Sequence, residues 1–217
     1  MTIKHHLSDA LLTAYAAGNL PEAFSLAVAT HISLCDDCRA ALAASEALGG
    51  AVLESQDEIE PMGAAAWEAI LARLEDIPPA TAQKPAPPKH PVLPAPLLEY
   101  VGGDLSKIKW RPLGMGVRQA ILKTRDKEAS ARLLHIPAGQ AVPDHGHRGT
   151  ELTLVLKGAF RDEAQRFARG DIEIADEADQ HTPVAEAGED CICLAVTDAP
   201  LRFTGMIPRL LQPVFRI

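Results

Sequence analysis

Up to residue 77 the apolar positions recur at helical spacing. Leu7, Leu11 and Tyr15 stand four residues apart and share one face, with Ser8 placed to cap and Gly18 to terminate. Asn19 and Pro21 offer an N-cap and an early-turn start for a second helix reaching about Leu34. A third is expected from Asp37 to Leu48, closed by Gly49-Gly50. Trp67, Ile70, Leu71 and Leu74 fall at i, i+3, i+4 and i+7, the apolar stripe of a fourth. By its pattern alone that stripe reads as ordinary core.

Later in the chain the period changes to two. Short runs at Ala131–Ile136, Leu152–Leu156, Asp171–Ile174 and Ile192–Val196 alternate with turn signals such as Lys157-Gly158 and Arg169-Gly170. Strands this short and regular predict an antiparallel sandwich or barrel. Between the two textures, residues 78–96 hold eight of the chain's 17 prolines. Proline lacks an N–H and fixes φ, so this run is expected to be a semi-rigid, extended spacer that transmits little by itself. The expected organisation is therefore multidomain α plus β. Residues 1–77 form a helical domain, 78–96 a proline-rich linker and 97–217 a β domain.

Charge sharpens the division. Residues 1–77 carry 12 acidic side chains against Lys4, Arg39 and Arg73, a net −9, whereas the remainder is close to neutral at +1. The first third should avoid nucleic acid and attract basic proteins, although Ala-rich helices also need acidic residues simply for solubility. Aromatics are only 4% of the chain, so both cores must be built from aliphatic residues. No apolar stretch approaches the ~18 residues of a membrane span, and the first residues lack a secretory h-region. A cytoplasmic protein without membrane contact is expected.

Two constellations carry chemistry. The first is His31-Ile-Ser-Leu-Cys35-Asp-Asp-Cys38, of the form H-x3-C-x2-C. His31 and Cys35 lie one helical turn apart if the second helix reaches them, and Cys35 and Cys38 sit where the third begins. Free N–H groups at a helix start favour thiolates and hence metal binding. A closed zinc site wants four ligands. The fourth must come from elsewhere, and His5 or His6, just before the first helix, is the obvious source. A C-x-x-C redox motif would expect a βαβ setting, which this pattern does not offer.

Three ligands so spaced, with an upstream histidine on a small acidic helical domain, resemble the zinc-binding anti-sigma domain. The resemblance implies that His6, His31, Cys35 and Cys38 hold zinc. It also implies a group IV (ECF) sigma factor as partner in a heterodimer, kept from RNA polymerase. The apolar stripe of the fourth helix would then fold against that partner.

The second constellation runs from Gly139 to Gly158 and matches G-x5-H-x-H-x3-E-x6-G at every fixed position, through His145, His147 and Glu151. Alternate residues on a strand share a face, so H-x-H aims both imidazoles the same way. His181 can add a third imidazole from a later strand. Three imidazoles and a carboxylate suit zinc or another divalent transition metal. This is the first cupin motif. The second is altered, because Asp176-Glu177-Ala178-Asp179 replaces the usual P-x-G turn before His181.

A zinc-binding anti-sigma domain joined to a cupin-like domain resembles the ChrR family of anti-sigma factors. The likeness implies a non-enzymatic regulator that releases its sigma factor in response to reactive oxygen species, singlet oxygen in particular. A metal-dependent cupin enzyme, a dioxygenase or isomerase with a helical docking module, is the alternative. Cys191 and Cys193 share a strand face and could form a redox pair, but buried small hydrophobes are the commoner role for such cysteines. His90 and His135 lack partners at ligand spacing and read as structural or solvated.

Overall fold

The computed structural model describes residues 2–56, 63–75, 92–103, 105–203 and 205. Helix α1 (Asp9–Ala16) starts where the Ser8 hydroxyl accepts the Leu11 N–H at 3.3 Å, and Gly18 follows its end at φ +70°. Helix α2 (Glu22–Ile32) buries seven of its eleven residues, which marks it as an element covered on several sides. Helix α3 (Asp36–Glu54) begins at Cys35, whose sulfur accepts the Cys38 N–H. It does not stop at Gly49-Gly50 as expected. Both glycines lie within the helix with open space around their Cβ positions. A glycine costs a helix interior about 1 kcal/mol and is no stop where the neighbours are alanine and leucine.

Helix α4 (Ala64–Glu75) follows, and α5 (Ala95–Val101) was not anticipated from the sequence. Gly102, in the left-handed conformation, terminates α5, and its N–H bonds the Leu98 carbonyl. Residues 78–91 of the expected proline-rich spacer, His90 among them, lie outside the described residues, whereas its last residues are not a spacer: Leu93 is buried in the core and Ala95-Pro96 already belong to α5.

The strands are β1 (Arg111–Gly114), β2 (Val117–Leu122), β3 (Ser130–Ile136), β4 (His145–Gly146), β5 (Glu151–Lys157) and β6 (Ala159–Arg161). They continue as β7 (Arg166–Ala168), β8 (Ile172–Ala175), β9 (Gln180–His181), β10 (Val184–Ala185), β11 (Cys191–Thr197) and β12 (Arg202–Phe203). Six of them form one antiparallel sheet in the order β1-β2-β3-β11-β5-β8. Two three-stranded sheets, β10-β6-β7 and β12-β4-β9, complete the β region. The four strand runs read from the sequence correspond to β3, β5, β8 and β11.

Both faces of the large sheet are covered. Leu152, Leu154 and Leu156 of β5, with Leu194 and Val196 of β11, join one apolar cluster with Phe24, Leu26 and Val28 of α2 and Leu97 of α5. The alternate residues Glu151, Thr153, Cys193 and Ala195 line a cavity on the opposite face. Double coverage explains why β5 is buried without a break from Leu152 to Leu156, Thr153 included. It also means that α2 is shared: α1 and α3 pack on it, and it packs on β11 and β5.

Two polar clasps reinforce this contact. Glu22 at the start of α2 accepts from the Tyr100 hydroxyl at 2.7 Å and from the Arg125 N–H, while its own N–H donates to Asp126 at 2.6 Å. At the other end, the Asp171 carboxylate accepts the N–H groups of Lys4 at 2.6 Å and His5 at 3.1 Å. The Ile172 N–H donates to the His5 carbonyl at 3.3 Å, so the N-terminal segment runs beside the start of β8. Gly170, at φ +90°, admits Ile3 so closely that a Cβ there would stand 2.7 Å from it.

Candidate functional site

The first cluster is assembled by the α2–α3 turn. The Leu34 and Cys35 N–H groups both bond the His31 carbonyl at 2.9 Å, which reverses the chain and sets Cys35 at the head of α3. His31, Cys35 and Cys38 are almost wholly buried. The N-terminal segment supplies His6, whose Nδ1 lies 3.3 Å from the Cys35 sulfur and 3.6 Å from that of Cys38. His31 Nε2 lies 3.3 Å from the Cys38 sulfur. One ligand atom from each of His6, His31, Cys35 and Cys38 falls within a span of 4.8 Å. His5 points elsewhere: its Nε2 meets Gln165 at 2.7 Å and its ring packs on Phe167.

These separations fit a tetrahedral ion. Bonds of about 2.3 Å to sulfur and about 2.0–2.1 Å to nitrogen put neighbouring N and S roughly 3.5 Å apart. The electrostatics agree. Burial presses His31 down to about 4, so its ring is neutral, against only partial opposition from the Gly170 backbone. Burial and the adjacent Cys35 push the Cys38 thiol up to about 11, against partial opposition from the Leu7 backbone. A divalent cation held here would supply the positive charge that favours two thiolates.

The second cluster sits on the small β12-β4-β9 sheet. His145 and His181 are directly paired across β4 and β9, with their Nε2 atoms 3.3 Å apart. That spacing suits two nitrogens about 2.0–2.1 Å from one ion. His147 completes a group of three buried imidazoles whose ligand atoms lie within 4.8 Å. Neither ring nitrogen of His147 has a hydrogen-bond partner, a costly state for buried polar atoms that an ion would relieve. His145 Nδ1 meets the Pro143 carbonyl at 2.9 Å, which directs Nε2 inward.

Glu151 is adjacent but outside the tight group. Its Oε2 is 3.6 Å from His147 Nδ1, and its Oε1 accepts from the Thr153 hydroxyl at 3.0 Å. Burial lowers the pKa of His145 and of His147. His181 behaves oppositely: burial is outweighed by Glu173, whose Oε1 lies 3.1 Å from Nδ1, and by Glu151 and Asp162, so its pKa rises. Glu173 and Asp162 were not singled out from the sequence. The one available signal was a lone acid between Ile172 and Ile174 on a buried strand. A cavity of about 260 Å³ opens beside this cluster, walled by Leu134, Val142, Phe160 and Phe203 together with His145, Glu151 and His181.

The altered turn before His181 still closes. Asp176 accepts the Ala178 N–H at 2.8 Å through its side chain and the Asp179 N–H at 3.1 Å through its carbonyl, while Asp179 accepts the Asp176 N–H at 2.9 Å. Cys191 and Cys193 are unbridged and buried, with sulfurs 3.4 Å apart. Both belong to the apolar core around Phe160 and Phe167, and the contact with Cys191, together with burial, raises Cys193 well above the ordinary thiol value. His135 has a structural partner, Asp190 at 3.0 Å, and packs edge-on against Trp110.

Residues 99–200 match the family described as the ChrR cupin-like domain. Over 219 aligned residues, covering 100% of both chains, the sequence is 60% identical to the anti-sigma-E factor ChrR of Cereibacter sphaeroides. The chain belongs to the ChrR family of anti-sigma factors. A crystal structure of Rhodobacter sphaeroides SigE in complex with the anti-sigma ChrR superposes with a TM-score of 0.79 at 58% identity, covering 90% of this chain and 99% of that one. The helical region plus antiparallel cupin-like region expected from the sequence is thus the ChrR architecture. No helix among the described residues is long and apolar enough to cross a membrane.

Proposed function

We propose that this ChrR-family protein binds a group IV (ECF) sigma factor as a heterodimer and keeps it from RNA polymerase. The observation that carries the reading is an uncovered apolar surface on the acidic helical region. Trp67 and Leu74 of α4 are each 56% exposed, and Leu48 and Leu53 on the far half of α3 are 67% and 73% exposed. Large apolar side chains left in the open along one helix stripe, as at Trp67, Ile70, Leu71 and Leu74, mark a protein-binding face. The surrounding net charge of −9 over residues 1–77 suits a partner whose own surfaces are basic. The SigE–ChrR complex supports the same choice of partner.

In this reading residues 1–77 inhibit, 78–96 link and 97–217 sense, in the cytoplasm and without contact to nucleic acid or membrane. His6, His31, Cys35 and Cys38 hold a structural zinc that fixes the α2–α3 turn. His145, His147, Glu151 and His181 hold zinc or another divalent transition metal, and change at that site under reactive oxygen species such as singlet oxygen releases the sigma factor. The metal supplies charge that organises four ligands at each site; the protein supplies their burial and orientation.

The test is metal analysis and release on the co-expressed pair. Wild type should carry about two metals per chain, one at each four-ligand set. His145→Ala/Glu151→Ala should carry about one, still co-purify with sigma, and fail to release it under singlet oxygen. A double variant that holds two metals and releases sigma normally contradicts the sensor assignment.

A further inference from the structure

The two candidate metal sites are joined by four consecutive residues. Gly170 packs against Ile3, and Asp171 takes the Lys4 and His5 N–H groups, the latter one residue before His6. The second Asp171 oxygen accepts the Ala168 N–H at 2.8 Å, so the carboxylate is fixed within its own turn as well as to the N-terminal segment. Ile172 extends the pairing to the His5 carbonyl. Glu173 then contacts His181 Nδ1 at 3.1 Å, leaving Nε2 to face His145 Nε2. Asp171 and Glu173 are both buried.

We propose that Asp171 and Glu173 are positioning residues that couple the two sites, Asp171 holding the main chain that carries His6 and Glu173 holding the ring of His181. The inference rests on reading both clusters as metal sites. A carboxylate on the outer nitrogen of a ligating histidine fixes the ring's orientation and tautomer, so movement of His181 bears directly on Glu173. Two residues along the same backbone, Asp171 holds two main-chain donors and stands 3.6 Å from the ring Nδ1 of His5. A shift of β8 is therefore transmitted to the segment ending in His6 without passing through the proline-rich linker. Sub-ångström shifts suffice, because packed cores switch between discrete arrangements rather than deform smoothly.

The test uses the full chain with both sites loaded with zinc and has two readouts. These are hydrogen exchange at the Lys4, His5 and Ile172 amides, and the rate of zinc transfer from the Cys35/Cys38 site to a chromophoric chelator. His181→Ala and the milder Glu173→Gln should each speed both processes by about tenfold, one decade per roughly 1.4 kcal/mol of local opening. Asp171→Asn should do the same, and adding His181→Ala to it should bring little further change, since coupled positions are not additive. Unchanged exchange at Lys4 and His5 in Glu173→Gln, or effects of Asp171→Asn and His181→Ala that multiply, would overturn the coupling. A wild-type chain that binds fewer than two zinc ions would overturn the underlying metal reading, and the proposal with it.

Discussion

Glu22 shows how a single side chain ties the helical region to the β region. The Arg125 N–H and then the Tyr100 hydroxyl hold its carboxyl below the ordinary 4.5, while its own contact is the main cause that raises Tyr100 from 10.0 to about 12. A lowered acid stabilises the fold above its ordinary pKa and loses that contribution as it protonates. A raised phenol stabilises the fold below its ordinary pKa and loses that contribution as it ionises. The clasp should therefore be complete between pH 4.5 and 10, weaken below that window, and weaken again from 10 to about 12. Tyr100→Phe should lower Tm within the window and flatten the alkaline loss; an unaltered alkaline limb would contradict this. Glu22 carried no signal in the sequence because its partners lie about a hundred residues away. Asp171 was hidden likewise, 167 residues from Lys4; Glu173 lies close to His181 in the chain, but no local pattern showed that β8 and β9 bring the two together. His31, Cys35, Cys38, His145 and His147 were legible because their spacing is local, whereas sequence alone could not separate His6 from its neighbour His5, and only the resemblance to the zinc-binding anti-sigma domain favoured His6.

At the level of elements, the caps and periods were readable and the helix length was not. Ser8 caps α1 as its position suggests, whereas α3 runs through Gly49-Gly50 to Glu54. The difference matters, because the added turn carries Val52 and Leu53 into solvent, at 56% and 73% exposure. Helix α4 has the opposite history: its periodicity was plain, but periodicity cannot say whether a stripe meets the chain's own core or another protein. Exposure of Trp67, Ile70, Leu71 and Leu74 between 40% and 56% points to the latter. Trp67→Ala and Leu71→Asp should each weaken sigma binding by about 30-fold or more, corresponding to roughly 2 kcal/mol at a central apolar contact. Free-chain stability should change by no more than about 0.5 kcal/mol, as for other surface substitutions. Calorimetric titration beside thermal melts separates the two effects. A loss of stability with sigma affinity unchanged would return the stripe to core.

For the molecule as a whole, the sequence divided the chain where its texture changes, and the structure joins the two regions again through α2. Leu26 and Val28 share a buried cluster with Leu154 and Leu194, a contact no local pattern could announce because both partners are merely apolar. Helix α2 and the proposed sensor thus lie on opposite faces of one sheet that is buried on both sides. The central claim is that this chain silences an ECF sigma factor. The most direct measurement is run-off transcription by RNA polymerase and that sigma factor, titrated with the purified full chain. Transcription should fall linearly and end near one chain per sigma, with Leu71→Asp shifting the curve to higher concentration. Full transcription at a several-fold excess of the wild-type chain would contradict the account.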